Sequence, residues 1–378
     1  MDESVQQILE RLRTARDAAE VFGPVETDEE LRRAYRDAAK RCHPDRCPDD
    51  GEAAREAFVR LTRWHEVACE QLRARAYGHQ PAGTAGATGA PPRTIRLQHK
   101  GRVYVVSPVV AFRGDFANVY RARHDGSPVA VKVARRARDN DLLVAERTAL
   151  HRIGRRVEDR FQPFFPRLLD GFAYASGGDS GDHGDGGSDG REQRAANVLS
   201  WVGGAYTLDE IRREYAAGVD PKDVAWIWRR LLAALGAAHR AGIVHGAVLP
   251  PHVCVLPKEH GLVLIGWTCA VEAGLPIRAI SGAHERWYPK EVMARDPATP
   301  ATDVAMGARC MLFLLGDAAP REDAPAALSR FFRGCMLPSP RQRPRDAWAL
   351  LREFDELLAR LWGPRRFHPF AVPAPCPR

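Results

Sequence analysis

Long apolar runs are missing from this chain. The best candidate, Met311 to Leu315, is far below the roughly 18–20 residues a membrane span needs, so no transmembrane helix is expected. The start, Met1-Asp-Glu-Ser, has no basic region followed by an apolar stretch, so no signal peptide is expected either. Cysteine is sparse: the eight residues (42, 47, 69, 254, 269, 310, 335 and 376) are scattered, which argues against a disulfide framework. Cys42, His43 and Cys47 cluster, but no second pair with metal spacing accompanies them, so neutral thiols rather than a zinc site are expected. Lysine is scarce, with six among 56 basic residues. No block of consecutive bases and no internal repeat is present, and charges of both signs are interspersed, the pattern of a solvated surface.

What is present reads as a multidomain globular protein, expected in the cytoplasm. The 378 residues are enough for two or three domains, and 45 % apolar with 28 % charged residues is too apolar for wholesale disorder. The net charge of +8 is uneven, because residues 1–77 hold 14 bases against 17 acids, a net −3 that leaves +11 elsewhere. Two stretches carry nothing to pack. Residues 78–93, GHQPAGTAGATGAPPR, read as a flexible linker, and residues 177–192, GGDSGDHGDGGSDGRE, read as a disordered insertion. The asparates of the second stretch lack the closing Glu of a helix-loop calcium site. Residues 364–378 form a Pro-rich tail.

Ahead of the linker, Leu31, Ala34, Tyr35, Ala38, Ala39 and Cys42 follow the 3.6-residue period of an amphipathic helix over Thr27 to Cys42. Thr27 and Glu30 have capping-box spacing, and Asp28 and Glu29 favour the positive end of the dipole. The other faces carry Arg32, Arg33, Arg36, Lys40 and Arg41. His43-Pro44-Asp45 stops the helix, and a second helix is expected from Gly51 to about Ala76, burying Phe58, Leu61, Trp64 and Val67. Within a first domain of residues 1–77, residues 18–77 thus resemble a J-domain, an all-α helical hairpin. The resemblance implies that His43, Pro44 and Asp45, with Arg32, Arg33, Arg36 and Lys40, dock on a DnaK-type ATPase chaperone and stimulate it. A basic helix face suits an acidic partner surface. Ala38 and Cys42 stand where the family carries larger residues, and Trp64 where it carries a small one, so the indole is expected to fill their volume.

Beyond the linker, strand-like runs come first: Arg102 to Pro108, Asn118 to Ala122, Pro128 to Ala134, Leu168 to Ala175 and Asn197 to Val202, with a helix over Asp141 to Ile153 among them. Helical patterns follow over Asp223 to Ala241, Thr302 to Leu315, Ala324 to Cys335 and Arg345 to Leu361. Strands first and helices second predict an α+β arrangement of two lobes with a cleft. Residues 94–363 resemble a two-lobed protein-kinase-like fold. Lys132 in Val-Ala-Val-Lys and Glu146 match its phosphate-binding Lys and helix Glu, Gly114 its glycine-rich loop, and Leu199 to Val202 its hinge. Glu291, Asp303 and Arg343 match structural positions, with Glu291 and Arg343 implied to pair.

The chemistry positions depart from that family. Ala247 stands at the base Asp, Leu249 at the catalytic-loop Lys, His252 at the metal-binding Asn and Gly266 at the metal-binding Asp. Losing the base forfeits a factor of about a hundred to ten thousand, and losing both metal ligands removes a larger electrostatic term. The resemblance therefore implies a pseudokinase with no catalytic residues and no metal site. Lys132 and Glu146 leave two readings open, an ATP site without magnesium or an ion pair that orients a helix. Trp267 is expected to pack the cleft and His245 to bond backbone.

Together these features predict a co-chaperone that recruits a DnaK-type chaperone, with a kinase-like module for a client, a regulator or a nucleotide. The sixteen-residue linker would span about 20–25 Å. One alternative is an atypical phosphotransferase or nucleotidyl transferase, supported by Lys132 and Glu146. Another is an Arg-rich nucleic-acid-binding scaffold, supported only by arginine content and overall charge; nucleic acid is not the expected partner.

Overall fold

The computed structural model describes residues 4–15, 17–25, 27–42, 47, 51–73, 94–175, 193–316, 323–370 and 372. The chain divides into two compact units, Met1–Ala90 and Pro91–Arg378. The expected linker at 78–93 and insertion at 177–192 lie outside the described residues.

The described part of the smaller unit is helical: α1 (Val5–Thr14), α2 (Ala18–Phe22), α3 (Asp28–Cys42) and α4 (Gly51–Arg73). The starts of the first three have local causes. Ser4 and Gln7 form a capping box on α1, Asp17 accepts the Glu20 amide on α2, and the Thr27–Glu30 box opens α3. The core is small, with Ile8, Leu12, Leu31, Cys42, Ala57 and Leu61 buried. An Arg13–Glu56 pair at 2.7 Å joins α1 to α4.

The larger unit is a mixed α+β region. It opens with β1 (Ile95–His99), β2 (Arg102–Arg113), β3 (Ala117–His124) and β4 (Ser127–Ala134), continues through α5 (Asn140–Arg156), and adds β5 (Leu168–Ala175) and β6 (Gln193–Ser200). These strands form an antiparallel sheet in the order β1-β2-β3-β4-β6-β5. β4 is central and buried from Val129 to Ala134, which explains its near-continuous apolar sequence. β2 runs five residues beyond the predicted end, through Pro108 to Arg113, with register shifts after Val106. Proline donates no ladder hydrogen bond, so the strand passes it on a bulge rather than stopping.

The sheet curls until its two ends meet. His99 on β1 lies 3.0 Å from Asp170 on β5, Tyr104 donates to the same carboxylate at 2.9 Å, and Arg102 donates to the Leu169 carbonyl at 2.5 Å. Hydrogen bonds from His99, Tyr104 and the Gly171 amide outweigh burial and hold the Asp170 carboxyl below its ordinary pKa.

The helical region follows: β7 (Tyr206–Thr207), α6 (Leu208–Glu214), α7 (Pro221–Arg240), β8 (Ile243–Val244), β9 (Val253–Leu256), β10 (Gly261–Leu264), β11 (Val271–Glu272), α8 (Lys290–Met293), α9 (Pro300–Leu315), α10 (Asp323–Gly334) and α11 (Ala347–Trp362). α7 and α9 are buried over most of their length and form the centre of the main core, and α9, buried on nearly every side, carries little amphipathic contrast. α7 approaches α11 so closely that a β-carbon at Gly236 would stand 2.5 Å from the Trp348 indole. The segment expected as a tail is packed at its start, where Phe370 is buried against Trp226 and Tyr215.

Candidate functional site

In the larger unit, the candidate residues gather where the sheet meets the helices. Lys132 on β4 donates to Glu146 on α5 at 2.7 Å, and both are buried. Glu146 is saturated by further donors: the Trp267 amide at 3.1 Å on one oxygen and the Asn197 side-chain amide at 3.1 Å on the other. Asn197 is held in turn by the Leu143 carbonyl and Arg147. Lys132 is less completely engaged. Glu146 is its sole partner among the described residues, so two of its three ammonium hydrogens remain for an anion or water.

The β9–β10 hairpin brings His252 and Gly266 together at its base. Gly266 has a left-handed φ of 82°, and a β-carbon there would lie 2.6 Å from the His252 ring. The imidazole thus fills the volume a side chain at 266 would claim. His252 Nδ1 donates to the Ala247 carbonyl at 2.8 Å. Burial, with His245 adding to it, pushes the His252 pKa down to about 3, so the ring is neutral. A neutral ring beside a glycine supplies none of the hard oxygen ligands that magnesium takes, so these two positions do not fit a magnesium ion. Ala247 and Leu249 are fully buried and apolar.

His245 and Trp267 are structural. His245 Nε2 donates to the Ile265 carbonyl at 2.9 Å and its Nδ1 accepts the Ala247 amide at 3.2 Å, which sets the tautomer. Burial lowers its pKa. Trp267 is fully buried, lies edge-on to His245 and donates to the Leu264 carbonyl at 2.8 Å. Asp303 on α9 accepts the backbone amides of His245 at 2.7 Å and Gly246 at 2.9 Å, fixing the loop that carries Ala247. Glu291 and Arg343 form a buried two-pronged pair at 2.5 and 3.2 Å. Gly114 occupies the β2–β3 turn, but its amide donates to the Ala117 carbonyl at 2.9 Å rather than standing free. Beside that turn Phe112 stacks on Trp201 with ring centroids 6.2 Å apart.

In the smaller unit, α3 buries Leu31, Ala38 and Cys42 and exposes Arg32, Arg33, Arg36, Lys40 and Arg41. Tyr35 is half-buried, with its hydroxyl 3.1 Å from Thr62 on α4 and its ring 4.3 Å from His65. The charges are only locally engaged: Lys40 lies 3.4 Å from Asp37, and Arg36 and Arg41 donate to carbonyls of their own helix. Arg32 and Arg33 have no carboxylate partner among the described residues. The result is an exposed cationic face on a helix pinned from behind. His43, Pro44 and Asp45, which follow it in sequence, lie outside the described residues.

Residues 23–77 match the family model of the DnaJ domain. The match includes α3 and α4 and supports a J-domain co-chaperone role in general terms, which implies an Hsp70-type partner. Among curated proteins, none matches this chain.

The J-domain carries a feature absent from the sequence-based expectation. α1 precedes the matched span and packs on α4, and the half-buried Trp64 donates its indole N–H to the Leu12 carbonyl at 3.2 Å. The polar edge of Trp64 therefore serves α1. The signal for α1 was present in the sequence: Ser4 and Gln7 at capping-box spacing, then Val5, Ile8, Leu9 and Leu12 on one face.

Proposed function

We propose that this chain is a cytoplasmic J-domain co-chaperone that recruits and stimulates a DnaK-type ATPase, and that its larger unit is a kinase-like pseudokinase module that binds a client or regulator. The observation that carries the reading is the exposed basic face of α3, inside the DnaJ-domain match and directly ahead of His43-Pro44-Asp45 in sequence. Arg32, Arg33, Arg36 and Lys40 steer an acidic chaperone surface, and the tripeptide completes the contact.

Support for the kinase-like part comes from the Lys132–Glu146 pair, the Asp303 clasp on the loop amides and the Glu291–Arg343 pair, all at motif positions. Support for lost transfer chemistry comes from buried Ala247 at the base position and the neutral His252 seated over Gly266. A nucleotide in this module would be held on the two spare hydrogens of Lys132, without magnesium.

The test is the steady-state ATPase of a purified DnaK-type chaperone with and without the full chain. Stimulation is expected from the wild-type chain and its loss from His43→Gln, with the melting profile unchanged. Full stimulation by His43→Gln would refute the reading.

A further inference from the structure

Beside the buried Glu291–Arg343 pair lies an open groove of about 340 Å³, between the Trp287–Lys290 segment, α9 and the loop after α10. Trp287 lies in it, braced edge-on by Phe313 at 5.4 Å, with the Arg309 guanidinium 5.9 Å from its ring centre. Met336 and Pro338 supply apolar wall. Lys290 is exposed and Arg309 half-buried, and neither has a carboxylate partner among the described residues. Arg343 also lines the groove, but both oxygens of Glu291 engage it. The groove thus presents two uncompensated cations around an aromatic and thioether lining. Some arginines elsewhere in this unit are paired: Arg229 and Arg365 share Asp355, and Arg152 meets Glu272.

We propose that this groove docks an acidic peptide segment of a partner protein, with an apolar or aromatic residue flanked by Glu or Asp. The apolar residue packs on Trp287 and Met336, and the flanking carboxylates pair with Lys290 and Arg309. Trp and Arg are the residue types that dominate interface energetics when partly desolvated. A carboxylate on Arg309 forms a charge-assisted bond in a semi-enclosed setting, which is stronger than a surface pair. Nucleic acid fits less well, because backbone binding draws on about six to ten phosphate contacts and the groove offers two cations. The inference rests only on the reading of the larger unit as a binding module.

The test uses the full chain and a fluorescein-labelled Glu-Glu-Leu-Phe-Glu-Glu peptide, read by fluorescence anisotropy at low salt. Binding is expected to weaken at least tenfold with Lys290→Glu/Arg309→Gln and at least tenfold when every Glu of the peptide is replaced by Gln. Melting curves check the fold. Should the double variant melt early, Lys290→Glu alone, at an exposed site, is expected to weaken binding about threefold. No binding of the acidic peptide, equal binding by the folded variants, or equal competition from a dT oligonucleotide would overturn the proposal. The double variant is also expected to stimulate the chaperone ATPase like wild type. Loss of stimulation by the wild-type chain would therefore sink the co-chaperone reading and leave the groove untouched.

Discussion

A β-carbon at Gly266 would stand 2.6 Å from the His252 ring, and the backbone there is left-handed with φ 82°. Either fact alone penalises a side chain; together they make the two positions interdependent. Gly266→Asp is expected to cost about 1–3 kcal/mol by overpacking, measured by urea unfolding. Removing the ring should relieve part of it, so His252→Ala/Gly266→Asp is expected to be more stable than the sum of the single changes allows. Strict additivity would show that the two side chains do not compete for space. The identities of Gly266 and His252 were legible from motif spacing, but their collision was not. It depends on a hairpin that closes at one particular angle. Lys132, Glu146, Glu291, Asp303 and Arg343 were legible for the same reason, whereas Asn197 and the Trp267 amide, which complete Glu146, come from elements that no local pattern links to it.

Where helix α7 begins, the end of the chain returns to cover it. Asp220 caps the helix by accepting the Lys222 amide at 2.8 Å, and Asp223, one turn inside, is buried, with Trp226 donating to it at 3.3 Å and the His368 Nε2 standing 3.6 Å away. Burial pushes the Asp223 pKa up to about 6, with Asp220 adding to the rise and His368 and the Trp226 hydrogen bond opposing it. A carboxyl whose pKa is higher in the folded chain favours folding below its unfolded value of about 3.9 and loses that benefit as pH rises through about 6. Asp223→Asn keeps the acceptor for Trp226 and removes the charge. It is expected to raise the melting temperature near pH 8 by an amount worth on the order of 1–3 kcal/mol, with the gain shrinking to nothing near pH 4. A gain that does not vary with pH would show that ionisation of Asp223 is not the cause. Elements with contrast between their faces, such as α3, were readable from period alone. α6 was missed although Thr207 and Glu210 form a capping box, because it spans only seven residues. β2 was cut short because Pro108 reads as a stop when no bulge is foreseen.

Each of the two units closes its own hydrophobic core, one around Leu31 and Leu61, the other around Trp228 and Phe332. Arg343→Ala strands the buried Glu291 carboxylate and frees the Leu337 and Pro338 carbonyls, and such one-sided breakage costs about 3–5 kcal/mol. Calorimetry of the full chain is expected to show two transitions, with this variant lowering one by several degrees and leaving the other in place. A single transition that shifts as a whole would mean that the units melt together.

The meeting of β1 and β5 through His99, Tyr104, Arg102 and Asp170 has a consequence for crowded solutions. An open sheet offers its outermost strands as templates on which another molecule can add a strand, the first step toward amyloid-like stacking. Here a guanidinium occupies one rim carbonyl and a knot of polar side chains draws the rims together. The sheet is thereby shielded from recruiting loose strands of other chains at its rims.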